Sequence, residues 1–311
     1  MPAPFHHAVA EGPETARAEW VTTPDGLRLR LAIWPAEGDA KGTILLFPGR
    51  TEYVEKYGQA AGDLTAAGYA VISIDWRGQG LSDRLLDNPA TGHIMDFDDY
   101  QLDIAELLQA AKAHNLPRPY YFLGHSMGGG IGLRALMNGL PVKAAVFTAP
   151  MWGILIAPHL RPVAWALSWA SRHLGFAHVL APGTTRETYV KAAPFDDNSL
   201  TTDPAMYAYM QRQVTAHPEL ALGGPSLRWL YEALVECRKM ARLPTPAIPT
   251  LTFLGSNERI VTTTPIHKRM ANWADGKLQM VDGAEHEVMM ETPAIRAQAF
   301  REIIAHFDAH R

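Results

Sequence analysis

A strand that stops at a glycine-flanked serine and restarts as a helix leaves a chain few folds to choose from. Tyr120-Tyr121-Phe122-Leu123 is an aromatic, apolar run that reads as a short buried strand, and it breaks at Gly124-His125-Ser126-Met127-Gly128-Gly129-Gly130. Ile131, Leu133, Leu136 and Met137 then fall at helical spacing. Gly124 to Gly128 is therefore a G-x-S-x-G sequence between strand and helix, the context in which that motif lifts a serine hydroxyl above the end of a sheet. Side chains at 124 or 128 would collide with neighbouring backbone. The helix that follows aims its free N–H groups at the point where an oxyanion would form. A turn that merely packs closely is the plainer reading, but strand, turn and helix together point to Ser126 as a nucleophile.

The rest of the chain reads as alternating strands and helices. Residues 1–16 look like an irregular leader. Residues 20–22 and 27–34 read as an antiparallel pair turned at Pro24-Asp25-Gly26, and 43–47 as a central strand ending in Pro48-Gly49-Arg50-Thr51-Glu52. A helix carrying Tyr57, Ala60, Ala61, Leu64 and Ala67 stops at Gly68. Strand 70–74 runs into Asp75-Trp76-Arg77-Gly78-Gln79-Gly80. Residues 96–113 form an amphipathic helix with an acidic first turn, and 144–148 a strand after the serine helix. Such alternation predicts a mostly parallel sheet with helices on both faces. It breaks at Pro150 and resumes at Thr250 with strand 250–254, helix 263–273, strand 278–281 and helix 294–310. We expect an α/β core domain from residues 1–150 and 246–311, with residues 151–245 inserted as a helical cap.

Composition narrows the function classes. The chain has 311 residues, 47% of them hydrophobic, enough to bury a large core. Its net charge of −4, with no run of Lys or Arg, gives no footing for nucleic acid. Cys237 is the only cysteine, so neither an intramolecular disulfide nor a cysteine-rich metal site can form. It reads as a core thiol in helical text. The N-terminal sequence lacks a basic region followed by an apolar block, and the most apolar window, near 155–174, is broken by Pro158, His159, Arg161, Pro162 and Arg172. We expect a soluble, cytoplasmic protein with at most transient contact with a membrane surface. His6-His7 at the terminus is not expected to hold a metal.

A serine needs a base, and the base needs an orienting group. In a parallel sheet these stand on loops at the strand C-terminal ends. Two such loops follow the insertion. Gly255-Ser256-Asn257-Glu258-Arg259-Ile260 has Glu258 as its only acid, and Asp282-Gly283-Ala284-Glu285-His286-Glu287 carries one histidine. The chain order Ser126, Glu258, His286 is the order expected when nucleophile, acid and base share such a sheet. Glu258 could instead be a surface acid paired with Arg259. Asp282, Glu285 and Glu287 compete for its role, though all lie close to His286 in sequence. The backbone N–H groups of Met127 and Arg50 are the candidate oxyanion donors. His125 is expected to point away from the serine and pack, and Trp152, Trp165, Trp169 and Trp229 to form the insertion's own core, with some of them free to line an acyl pocket.

With these residues in place the chain resembles the α/β-hydrolases, in particular the group of lysophospholipases, monoacylglycerol lipases and related serine hydrolases, on its bacterial lysophospholipase-like branch. The resemblance rests on Gly124-His125-Ser126-Met127-Gly128-Gly129, Asp75-Trp76-Arg77-Gly78-Gln79-Gly80-Leu81-Ser82, Gly92-His93 with Asp96-Phe97-Asp98-Asp99-Tyr100, Gly255 to Ile260, and Gly283 to Glu287. It implies the hydrolase fold, a helical cap at 151–245 and cleavage of an acyl glycerol or lysophospholipid ester without metal or organic cofactor. Pro48-Gly49-Arg50 stands where relatives commonly carry His-Gly, and Glu258 where many carry Asp. The same three residues would also serve an aminopeptidase or thioesterase, and the fold alone a non-catalytic binding protein. A carboxylate in place of Ser126 would be wanted for epoxide hydrolase or dehalogenase chemistry.

Overall fold

The computed structural model describes all of residues 1–311. Nine strands form one sheet: β1 (Pro2–Ala3), β2 (Arg17–Thr22), β3 (Arg28–Trp34), β4 (Gly42–Phe47), β5 (Tyr69–Asp75), β6 (Tyr120–His125), β7 (Ala145–Thr148), β8 (Thr250–Gly255) and β9 (Gly276–Val281). Their order is β1-β2-β3-β5-β4-β6-β7-β8-β9. β1 to β3 run as an antiparallel edge and β3 pairs antiparallel with β5, whereas every pair from β5 to β9 is parallel. Ten helices accompany them: α1 (His7–Ala10), α2 (Gly58–Ala66), α3 (Tyr100–Ala113), α4 (Ser126–Met137), α5 (Arg161–His173), α6 (Tyr189–Ala192), α7 (Pro204–Ala216), α8 (Leu227–Met240), α9 (Thr263–Met270) and α10 (Pro293–Asp308).

The central strands are continuous apolar runs because both faces are covered. Along β4, Leu45 and Phe47 join one core while Ile44 and Leu46 join the other; along β6, Tyr120 and Phe122 separate in the same way from Tyr121 and Leu123. Ile104 and Leu107 of α3, Ile131 of α4 and Ile266 of α9 cover the first face. Ala60 and Leu64 of α2, with Phe300, Ile303 and Phe307 of α10, cover the second. Between β7 and β8 the chain forms α5 to α8 and adds no strand to the sheet. No helix is long and apolar enough to cross a membrane.

Two readings of the sequence need correction. Residues 1–16 are not an irregular leader: Pro2 and Ala3 pair with Glu19 and Ala18 at the sheet edge, and α1 packs where the Tyr209 hydroxyl donates to the Ala10 carbonyl at 2.7 Å. A two-residue strand and a one-turn helix are too short to show a period. The four tryptophans, moreover, do not form a separate core. Trp152 lies among Phe147 and Trp273, and Trp229 against Phe97, all in the main core, while Trp169 is exposed and Trp165 alone packs within the insertion, against Tyr231.

Candidate active site

β6 delivers the chain to Ser126, the first residue of α4, which adopts φ +48°. A non-glycine residue in the left-handed region is strained and persists only where its surroundings fix it. They do so here by close packing. A Cβ on Gly124 would press into the Phe122 ring and lie 3.1 Å from the Gly128 carbonyl oxygen. One on Gly128 would meet the Phe47 and Pro48 backbone, and one on Gly129 would stand 2.7 Å from the Pro150 ring. The Ser126 carbonyl accepts from the Met151 N–H at 2.8 Å. Serine 126 is 9% exposed, and that exposure faces a cavity.

The loop after β4 runs beside this turn. Gln79 spans it, donating from Nε2 to the Gly49 carbonyl and accepting at Oε1 from the Thr51 N–H, both at 3.1 Å. Trp76 Nε1 donates to the Pro48 carbonyl at 2.9 Å, and Glu52 accepts from the Gly49 N–H. The N–H of Arg50, between these held residues, has no acceptor within the chain. That of Met127 lies in the first turn of α4, where N–H groups lack intrahelical partners. Gln79 and Trp76 come from the motif after β5, whose Asp75 accepts from the Val54 and Leu81 N–H groups and from Arg30.

His286 and Glu258 meet at the ends of β9 and β8. His286 Nδ1 lies 2.7 Å from Glu258 Oε2, and both side chains are buried. Oε1 of the same carboxylate accepts from the Ile260 and Val261 N–H groups at 2.6 and 2.9 Å. Burial by itself would raise the Glu258 pKa, but the hydrogen bond and charge of His286, with those two N–H groups, hold it below the usual value. Arg259 pairs with Asp197 at 2.7 Å and Glu285 at 3.3 Å, leaving Glu258 to the histidine. Asp282 makes no ion pair and no side-chain hydrogen bond. A carboxylate on Nδ1 leaves Nε2 of His286 to face outward, and His286 lines the same cavity as Ser126.

Sequence reasoning missed what lies behind these residues. Lys56 reaches Glu52 and Glu287, each at 2.5 Å, while His125 Nε2 lies 3.3 Å from Glu287 and 3.6 Å from Glu52. The Tyr57 hydroxyl donates to Glu52 as well, and His125 Nδ1 lies 2.9 Å from Thr148 Oγ1. All are buried, and the His125 ring meets that of His286 edge-on at 4.8 Å. His125 is thus a member of a charge network rather than a packing residue. Burial disfavours its cation, yet Glu287 and Glu52 raise its pKa above the ordinary histidine value. The Lys56 ammonium and the His125 ring both lie against the two carboxylates, and Glu287 is occupied here rather than on His286. Glu52, His125 and Glu287 could converge on a metal ion, but the Lys56 ammonium already stands between the two carboxylates. At the surface, His6 and His217 approach Glu219, but their rings stack face to face at 3.5 Å. Cys237 is buried, its thiol pushed up to about 12 by burial.

The cavity holding Ser126 and His286 measures about 480 Å³. Met151, Ile154, Val190, Leu200, Met210 and Val214, all from the segment between β7 and β8, line it together with Arg50 and Trp229.

Residues 38–293 match the family described as "Serine aminopeptidase, S33". The chain belongs to this α/β-hydrolase family. It is 34% identical over 277 residues to lysophospholipase L2 of Escherichia coli strain K12, covering 86% of this chain and 80% of that protein. A monoacylglycerol lipase of Mycolicibacterium smegmatis is 26% identical, with 86% and 88% covered. Among solved structures, a soluble variant of the Saccharomyces cerevisiae monoglyceride lipase with a substrate analogue superposes at a TM-score of 0.74, with 21% identity and 96% of each chain covered. A thermostable carboxyl esterase of Bacillus coagulans gives 0.76 at 15% identity, covering 96% of this hydrolase and 99% of the esterase. The fold expected from the sequence is the fold of these enzymes, and the relatives by sequence are lysophospholipases and lipases.

Proposed function

We propose that the protein is a serine carboxylic-ester hydrolase that cleaves the acyl ester of a lysophospholipid or monoacylglycerol. The observation that carries this reading is the buried His286–Glu258 pair opening onto the cavity that also holds the strained Ser126. In the first half-reaction Ser126 Oγ attacks the ester carbonyl carbon while His286 Nε2 takes the hydroxyl proton. Glu258 holds the Nδ1–H tautomer and balances the imidazolium charge. The N–H groups of Arg50 and Met127 receive the oxyanion, and His286 then protonates the departing glycerol oxygen. Water, deprotonated by His286, attacks the acyl-enzyme and releases the fatty acid. None of these steps draws on a metal or organic cofactor.

Residues 151–245 act in this scheme as a cap. Their apolar side chains line the cavity and take the acyl chain, each buried methylene contributing about 0.8 kcal/mol. An aminopeptidase reading draws on the family description. A free substrate amine would want an uncommitted carboxylate, however, and Glu52 and Glu287 are both engaged by Lys56 and His125. Lysophospholipids, monoacylglycerols, p-nitrophenyl esters, acyl thioesters and peptide amides tested on wild type and Ser126→Ala separate the readings. Ester turnover lost in the variant is expected; turnover of peptide amides alone would overturn the proposal.

A further inference from the structure

Buried cations in this protein are paired. Arg30 lies against Asp75 and Glu55, Arg77 against Asp103 and Asp25, and Lys56 against Glu52 and Glu287. Arg84, largely buried, is satisfied by four backbone carbonyls instead. Two cations depart from this: Arg269, which has only the Met240 carbonyl and the Trp152 ring and lies away from the Ser126 cavity, and Arg50, which lines that cavity. Arg50 is half-buried and forms no ion pair, and its guanidinium has one hydrogen bond, from Nη2 to the Gly223 carbonyl at 2.5 Å. Nε is buried with no partner, and Nη1 makes no hydrogen bond. The Trp229 ring lies 5.3 Å away, a cation–π contact that replaces little of a counterion. Burial brings the guanidinium pKa down to about 10, which leaves it charged at neutral pH. An uncompensated cation is costly to hold in a protein interior unless something else completes it.

Arg50 also lines the cavity of Ser126, and its own N–H is the proposed oxyanion donor. The wall beside it, around Gly223 and Gly224 with Thr184 and Thr185, is small and polar, while the apolar lining is contributed by Met151, Ile154, Val190, Leu200, Met210 and Val214. Acidic groups do not compete for it: Glu52 and Glu287 are held by Lys56 and His125, and Glu187 is exposed and forms no pair with it. The cavity thus offers apolar walls for an acyl chain and one planar guanidinium, its Nη1 and one Nη2 hydrogen unbonded, for the other end of the substrate. A guanidinium fork matches two phosphate oxygens better than any neutral hydroxyl.

We propose that Arg50 is the specificity-determining residue of this site, its guanidinium receiving the phosphate of a glycerophosphate head group so that phosphate-bearing acyl glycerols are preferred over neutral ones. The proposal rests on the ester-hydrolase reading above and narrows its substrate class.

The test compares 1-acyl-glycerol, 1-acyl-glycero-3-phosphate and 1-acyl-glycero-3-phosphocholine of one acyl length, below their micelle concentrations, on wild type, Arg50→Lys and Arg50→Met. Because the main chain at 50 belongs to the reacting loop, the readout is the ratio of kcat/KM for phosphate-bearing over neutral substrate. That ratio is expected to exceed one in wild type, to fall about ten- to hundredfold in Arg50→Met, and to recover in part in Arg50→Lys. Calorimetric titration with glycerol 3-phosphate supplies a readout independent of turnover, with binding expected in wild type and lost in Arg50→Met. An unchanged ratio in Arg50→Met would overturn the proposal. So would inhibition by free fatty acid, rather than glycerol 3-phosphate, being what Arg50→Met relieves. If wild type hydrolyses none of the esters, the enzymatic reading fails by itself, while the titration still decides whether Arg50 binds phosphate.

Discussion

Gly128→Ala is the smallest change that should disable the site without touching a reacting group. A methyl at 128 would stand 2.5 Å from the Pro48 carbonyl oxygen and closer still to that of Phe47, where real Cβ contacts do not fall below 3.0 Å. Both obstacles are backbone, so no side chain can swing aside. Either α4 or the loop carrying Arg50 must retreat by at least about half an ångström, and by more at Phe47. Since roughly 1 Å of misplacement can cost about a hundredfold in rate, kcat/KM is expected to fall about ten- to hundredfold. Overpacking of this kind should also cost about 1–3 kcal/mol of stability. Gly62→Ala is the control. Its Cβ would meet only Pro13, at 3.6 Å, within α2, so it should leave kcat/KM in place and stabilise by about 0.5–1 kcal/mol. Initial rates on a p-nitrophenyl ester, with urea unfolding of each variant, measure both effects. Turnover by Gly128→Ala within twofold of wild type would refute the idea that this glycine sets the distance between nucleophile and oxyanion loop.

Three further outcomes follow from the geometry. Glu258→Gln should lower kcat by orders of magnitude while Asp282→Asn leaves it nearly unchanged; steady-state kinetics giving the reverse pattern would reassign the orienting acid. His125 has a folded pKa raised by Glu287 and Glu52, with Lys56 opposing and His286 edge-on beside it. Its contribution to stability is therefore complete below about pH 6.5 and lost as pH rises through the raised value. Urea midpoints from pH 5 to 9 should show that decline in wild type and not in His125→Gln. Across p-nitrophenyl esters of increasing length, kcat/KM should rise about fourfold per methylene until the cavity is full, and a flat profile would remove the acyl pocket.

What the sequence revealed and what it hid divide along the range of the interactions. Continuous apolar runs at β4, β6 and β8 and the glycines around Ser126 are local signals, and each fell where the chain forms the corresponding element. The pairing of His286 with Glu258 was legible because both follow strands of one parallel sheet, whose order the α/β alternation had already implied. By contrast, Lys56 and Glu287 meet across 231 residues, and no spacing marks them. A lysine on a short helical turn reads as solvated, and Glu287 beside the histidine reads as a rival acid, until the fold buries both against His125. Gln79 was hidden for the same reason: its neighbours Gly78 and Gly80 advertise a turn, not the loop after β4 that its side chain holds. The edge strand β1 is set by pairing with β2 and by α1 docking on Tyr209, contacts that two apolar residues cannot announce.

Ser126 as the covalent nucleophile is the claim on which the enzymatic reading depends. A fluorophosphonate probe reacts with a serine only when a base activates it and an oxyanion site receives the phosphonyl oxygen, so one adduct reports the whole constellation. Intact-mass and peptide-mapping spectrometry should find a single adduct on wild type, at Ser126, weakened in Glu258→Gln and absent from Ser126→Ala. Equal labelling of wild type and Ser126→Ala, or an adduct mapped to any other residue, would contradict it.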